Sequence, residues 1–113
     1  MDPDTLLPLT DLAFSILVAL KDEELHGYAL LKDLRARTGR EALRTGTVYA
    51  ALARLQDQGL VREATGPDDP DDQRRKYYRL TTLGLQVATA EARRLAELLI
   101  LARSKGIVAP STA

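Results

Sequence analysis

Between Leu85 and Ala102 the side chains Leu85, Ala88, Ala92, Leu95, Leu99 and Ala102 advance alternately by three and four residues. That spacing returns every member to one stripe of an α-helix, whereas a strand changes face at each residue. An apolar stripe of nearly three heptads has to be buried against something. Leu98, Ile100 and Leu101 widen it near its end. The pattern predicts a helix over 82–104 that packs on a second copy of the chain. The competing arrangement folds it back on its own domain.

A chain of 113 residues suits one hydrophobic core, and an apolar share of 45% is ordinary for a globular protein. No apolar run approaches the roughly 18 residues of a membrane span. The acidic start Met1-Asp2-Pro3-Asp4 lacks the positive charge of a secretory signal. With no cysteine there is neither a disulfide framework nor thiolate chemistry. A cytoplasmic location and no membrane partner are expected.

Upstream of the seam the chain reads as a series of short helices closed by a hairpin. Residues 1–8, with Pro3 and Pro8, form an extended N-terminal arm. Thr10 then caps a helix whose inner positions are Leu12, Ala13, Ile16, Leu17 and Leu20. Phe14 and Val18 lie on another side of it, so a second subunit is expected to cover Phe14. After a polar connection from Lys21 to Gly27, a second helix buries Leu30, Leu31 and Leu34 and ends at Thr38-Gly39. Within it Asp33 and Arg37 are spaced to pair. A third helix runs from about Thr45 to Gln58, with Val48, Leu52 and Leu55 on one stripe and Gly59 as its stop. Two short helices joined by a tight turn make a helix-turn-helix. Leu60–Ala64, the turn-rich Gly66–Asp72 and Arg74–Leu80 describe a β-hairpin placed as a wing. Thr81 or Thr82 caps the terminal helix. The expected architecture is thus mainly α with a small β-hairpin: a winged helix-turn-helix over 9–81, a dimerisation helix over 82–104, and a flexible tail over 105–113.

Net charge is zero, but its distribution is zoned. Residues 1–31 carry one Lys and six acids, whereas 32–62 carry seven basic and three acidic side chains. Residues 63–72 return to a balance of −5, and 73–79 hold four basic groups and no acid. A phosphate backbone responds to the field within a Debye length, ~8–10 Å, rather than to a total. The basic zones coincide with the second and third helices and the wing strand.

Several segments, in order, resemble the short single-domain form of the PadR-type winged helix regulators. They are His26-Gly27-Tyr28, Gly46-Thr47-Val48-Tyr49, the run from Leu52 to Leu60, Arg75-Lys76-Tyr77-Tyr78-Arg79-Leu80-Thr81, and Gly84. The likeness spans residues 9–103. It implies a DNA-binding homodimer, often a repressor, with small-molecule effectors that bind near the dimer interface and weaken operator binding. One departure is Ala50, where the family commonly has proline after the tyrosine of its recognition helix.

In a helix-turn-helix the N-terminal end of the second helix reaches base edges in the major groove. Here that end offers Arg44, Thr45, Thr47 and Tyr49, with Arg54 further along and Gly46 leaving room for close backbone approach. Tyr49 reads either as a phosphate contact or as a packing tyrosine, and Arg44 and Arg54 either as DNA contacts or as a solvated face. Arg35, Arg37 and Arg40 stand in the same balance. On the wing, Arg74, Arg75, Lys76 and Tyr77 are the expected backbone contacts, while the aspartates at the tip repel phosphate. If Leu80 faces the core, alternation turns Tyr78 inward and Tyr77 with Arg79 outward. An effector pocket is expected where the terminal helices meet the first helix, around Phe14, Leu95 and Leu99. The alternative function is a winged helix for protein contacts, without an operator. Enzymatic function is not expected. His26 stands at a helix start, where capping suits it, and one His with no Cys gives no zinc or iron ligand set. The acidic run 68–72 contains a proline and lacks the EF-hand pattern, so neither metal nor cofactor is expected.

Overall fold

Local capping sets most of the element boundaries. The computed structural model describes residues 2–39, 43–64 and 76–108. Thr10 opens α1 (Asp11–Ala19), its hydroxyl oxygen accepting the Ala13 N–H at 3.1 Å. His26 opens α2 (Gly27–Thr38) in the same way, Nδ1 accepting the Ala29 N–H at 3.1 Å, and Gly39 closes it with φ 67°. Helix α3 (Thr45–Asp57) stops at Gly59, φ 77°, where the Leu60 N–H reaches back to the Leu55 carbonyl at 2.9 Å. Thr81, rather than Thr82, caps α4 (Thr82–Ser104) by accepting the Gly84 N–H at 2.9 Å. Beyond Lys105 the chain is not frayed at once. Gly106 takes φ 72° and the Ile107 N–H bonds the Ala102 carbonyl at 3.0 Å, closing the helix end. Residues 109–113 lie outside the described residues.

Three antiparallel strands complete the fold: β1 (Leu25–His26), β2 (Val61–Ala64) and β3 (Tyr77–Leu80), in the order β1-β3-β2. The hairpin pairs Val61 with Leu80 and Ala64 with Tyr77. Strand β1, inside the stretch read as a polar connection, pairs Leu25 with Tyr78 and His26 with Tyr77. Helices α2 and α3 followed by the β2–β3 hairpin make a winged helix-turn-helix. Its core gathers Ile16, Leu17 and Leu20 with Leu30, Leu31 and Leu34 and with Val48, Leu52 and Leu55, closed by Leu60, Val61, Tyr78 and Val87. Each full burial of such a side chain contributes about 1.5–3 kcal/mol, so the α3 stripe alone fixes which face of that helix stays in water.

The N-terminal arm is not extended. Pro3–Leu6 form a 3-10 turn that packs on α4. Leu6, Leu7 and Leu9 lie partly buried against the core, which is why the segment gives up solvent. Its anchor is Glu91, 1% exposed, whose Oε2 accepts the Leu9 N–H at 2.6 Å while Oε1 accepts from Arg94 Nε. The Arg94 hydrogen bond holds the Glu91 carboxyl below the ordinary glutamate range, with help from the Leu9 N–H and against its own burial.

Helix α4 buries Gly84, Val87 and Glu91 against its own domain. The same stripe continues through Leu95 and Leu98, yet these are 40% and 50% exposed. Leu99, Ile100 and Leu101 are exposed as well. Of the expected seam, Leu85, Ala92, Leu95 and Leu99 are open to solvent and Ala102 is half-buried, whereas Ala88 packs against the chain's own core. Within the chain the helix packs chiefly on α1 and the 3-10 turn, with Gly84 seated against Leu60 and Leu80, and its last turns carry the apolar stripe into water.

Candidate nucleic-acid interface

The turn into α3 is held from α2. Arg35 donates from Nε at 3.0 Å and from Nη2 at 2.6 Å to the carbonyl of Leu43. Arg35, weighed as a phosphate support, therefore fixes the path of the chain into α3. Arg37 pairs with Asp33 at 2.9 Å, as the spacing implied. Arg40 lies outside the described residues.

Arg44 is the N-cap of α3 and gives no side-chain cap, because a guanidinium has no acceptor. Arg44, Thr45, Gly46 and Thr47 are all exposed, while Val48 behind them is fully buried. Burial of Val48, Leu52 and Leu55 thus turns the opposite edge of the helix outward. Among the described residues, nothing beyond its chain neighbours and its own helix backbone stands within 4 Å of the place a Cβ on Gly46 would occupy. Arg54 is exposed in the last turn of the helix.

Tyr49 packs within the chain while part of it stays in solvent. It is 43% exposed, yet its ring lies on Gly27, where an added Cβ would stand 2.2 Å from the phenol oxygen. The His26-Gly27-Tyr28 and Gly46-Thr47-Val48-Tyr49 segments are therefore one packing unit: glycine at the start of α2 makes room for tyrosine from α3. The His26 ring also meets Tyr77 edge to face, with centroids 5.4 Å apart.

On the wing, Lys76 is exposed and pairs with Glu63 across the hairpin at 3.3 Å. Arg74, Arg75 and the aspartate-rich tip lie outside the described residues. Tyr77 requires a correction. Alternation separates it from Tyr78 as expected, but Tyr77 is only 9% exposed, because pairing with β1 lays His26 beside it. It packs the sheet and is not available as a surface contact. Burial, reinforced by Glu63, pushes the Tyr78 phenol above its ordinary range and keeps it neutral.

Phe14 is half-buried and Val18 exposed on the outer edge of α1, one helical turn apart. One surface hollow is lined by Asp22, Glu24, Arg79 and Leu85, and another by Asp2, Asp4, Gln86 and Arg93. Neither takes in Phe14, Leu95 or Leu99. Among the described residues no group of three or more His, Cys, Asp or Glu side chains is placed to hold a metal ion, and no helix is long and apolar enough to cross a membrane. Sequence reasoning passed over Glu91, whose only signal was an acid on the buried stripe of α4.

Comparison with known proteins agrees with this geometry. The profile of the transcriptional regulator PadR-like family matches residues 16–90. An uncharacterised protein of Lysinibacillus sphaericus is 33% identical over 70 residues, which are 61% of this chain and 63% of that protein. The match thus spans less than two thirds of the relative's length. Among solved structures, a PadR family transcription regulator from hypervirulent Clostridium difficile superposes with a TM-score of 0.74 at 25% identity, covering 84% of this chain and 97% of that one. A PadR-like transcriptional regulator from Bacillus cereus gives a TM-score of 0.73 at 22% identity, covering 87% and 93%.

Proposed function

The chain belongs to the PadR-like family of transcriptional regulators, and on that premise we propose that it is a homodimeric, sequence-specific DNA-binding repressor. The observation that carries this reading is the first turn of α3. Arg44, Thr45, Gly46 and Thr47 face solvent over a fully buried Val48, with nothing of the described chain above Gly46. That edge is the part of a helix-turn-helix that enters the major groove. Thr45, Thr47 and Arg44 supply hydroxyl and guanidinium groups for base edges and phosphates, and the exposed part of Tyr49, whose phenol oxygen lies over Gly27, adds a contact to the DNA backbone. Arg54 and the wing residues Arg74, Arg75 and Lys76 add backbone contacts.

One recognition helix reads few bases, so selectivity comes from two. Apolar positions past Glu91 on α4 support pairing through Leu95, Leu99 and Ala102, with Phe14 of α1 at its margin. A two-fold dimer presents its reading helices about one duplex turn apart, ~34 Å, to an inverted repeat. A small-molecule effector would enter where α4 of both subunits meets α1 and would shift that separation. The protein acts in the cytoplasm without a cofactor.

Selection of bound duplexes from a random pool tests the proposal directly. An inverted repeat with half-sites one turn apart is the expected product. Zero net charge favours a second reading, a winged helix that docks on protein. In that case no duplex is enriched and no salt-dependent shift occurs with genomic DNA.

A further inference from the structure

We infer that the exposed edge of α2 carrying Tyr28 and Lys32 forms a second contact with the DNA phosphate backbone, beside the recognition helix. The inference rests on the DNA-binding reading above. Tyr28 is 61% exposed, a large aromatic side chain in water directly after the buried Gly27. Lys32 follows one turn later, and its Nζ stands 6.0 Å from the Tyr28 ring centroid. That distance is at the outer limit of cation–π attraction, so the ring steers the ammonium without holding it.

Arg35 extends the same ridge, since positions i, i+4 and i+7 share one edge of a helix. Its guanidinium bonds the Leu43 carbonyl just ahead of α3, which fixes this edge of α2 on the α3 side. The other end is tied as well, because Tyr49 of α3 rests on Gly27. Tyr28 and Lys32 therefore sit between two fastenings to the recognition helix and move with it. No acid lies on the ridge, and Asp33 is turned to Arg37. A phenol O–H and an ammonium are both donors suited to phosphate oxygens. In a helix-turn-helix the first helix is the one that crosses the backbone.

One phosphate neutralised by Lys32 in each subunit contributes about 1.8 to the log–log salt slope of a dimer, at ~0.9 per contact. Across a fourfold rise in salt that slope corresponds to about a twelvefold change in affinity. The test uses full-length Lys32→Gln and Tyr28→Phe, checked for an intact dimer by sedimentation. Their anisotropy is titrated from 50 to 200 mM salt on the pool-selected duplex and on a mixed-sequence duplex of equal length. Lys32→Gln is expected to weaken both duplexes by the same factor and to lose about twelvefold less affinity over the salt range than wild type. Tyr28→Phe keeps the ring and removes one donor in each subunit, so it weakens both duplexes roughly five- to 150-fold with the slope unchanged. Unaltered affinity and slope in both variants, with wild type binding normally, overturn the ridge and leave the DNA reading standing. A loss confined to the selected duplex overturns the phosphate assignment in favour of base contact. Wild type that binds neither duplex overturns both readings together.

Discussion

A methyl group added at Gly84 probes how α4 is seated on the winged helix. Its Cβ would stand 2.0 Å from the Leu60 carbonyl oxygen, 3.0 Å from the carbon of that carbonyl and 2.7 Å from Leu80 Cδ1. The leucine side chain can rotate away, but the carbonyl cannot. It accepts the Thr81 N–H at 3.1 Å, and the neighbouring Gly59 carbonyl accepts the Thr81 hydroxyl at 2.7 Å. Restoring an ordinary contact of 3.4 Å from 2.0 Å moves the start of α4 by about 1.4 Å. Both Thr81 bonds then stretch beyond use. Their loss costs about 0.5–1.5 kcal/mol each, and residual overpacking adds about 1–3 kcal/mol. Alanine returns about 1 kcal/mol through its better helix propensity. Gly84→Ala is therefore expected to destabilise the fold by roughly 1–5 kcal/mol, the range left when the propensity gain is set against the losses. At ~4–8 °C per kcal/mol for a domain of this class, a mid-range loss lowers Tm by more than 10 °C. Thermal unfolding at fixed protomer concentration measures it, since the proposed pairing would make Tm concentration-dependent. A variant that melts at or above the wild-type temperature refutes the claim that the Leu60 carbonyl sets the position of α4.

The other expectations address the arm, the dimer and the reading helix. Glu91→Gln is expected to lose about 1–3 kcal/mol at neutral pH, the worth of a hydrogen bond to a buried charge. Because its folded pKa is depressed, the Glu91 contribution is full above the ordinary glutamate value, ~4.3, and disappears as pH falls through the folded value. Urea unfolding from pH 7 to pH 3 should accordingly show a smaller acid loss in Glu91→Gln than in wild type; parallel curves would contradict the anchor. Leu95→Asp and Leu99→Asp each place a charge on the exposed stripe of α4 and should abolish both dimer and operator binding, and sedimentation that finds intact dimers would sink the pairing surface. Gly46→Ala meets no atom of the described chain, so it should stabilise α3 by about 0.5–1 kcal/mol yet weaken binding to the selected duplex. Unchanged affinity would remove the reason for glycine there.

What the sequence determined by itself is what acts over a few residues. Thr10, His26 and Thr81 each accept an N–H three residues ahead, and Gly39 and Gly59 end helices through their own positive φ. Helical period alone placed Val48, Leu52 and Leu55 inward, and with them the outward edge of α3. The tertiary structure decided what depends on distant partners. Strand β1 is two residues long and has no period to read, so it exists only through pairing with β3. Alternation gave the face of Tyr77 but not its cover, which comes from His26. Glu91 was one acid among many until Leu9, 82 positions away, donated to it. Gly46 and Gly84 are indistinguishable as letters. They differ in what stands over the missing side chain, open space for one and the Leu60 carbonyl for the other, and that is a property of packing alone.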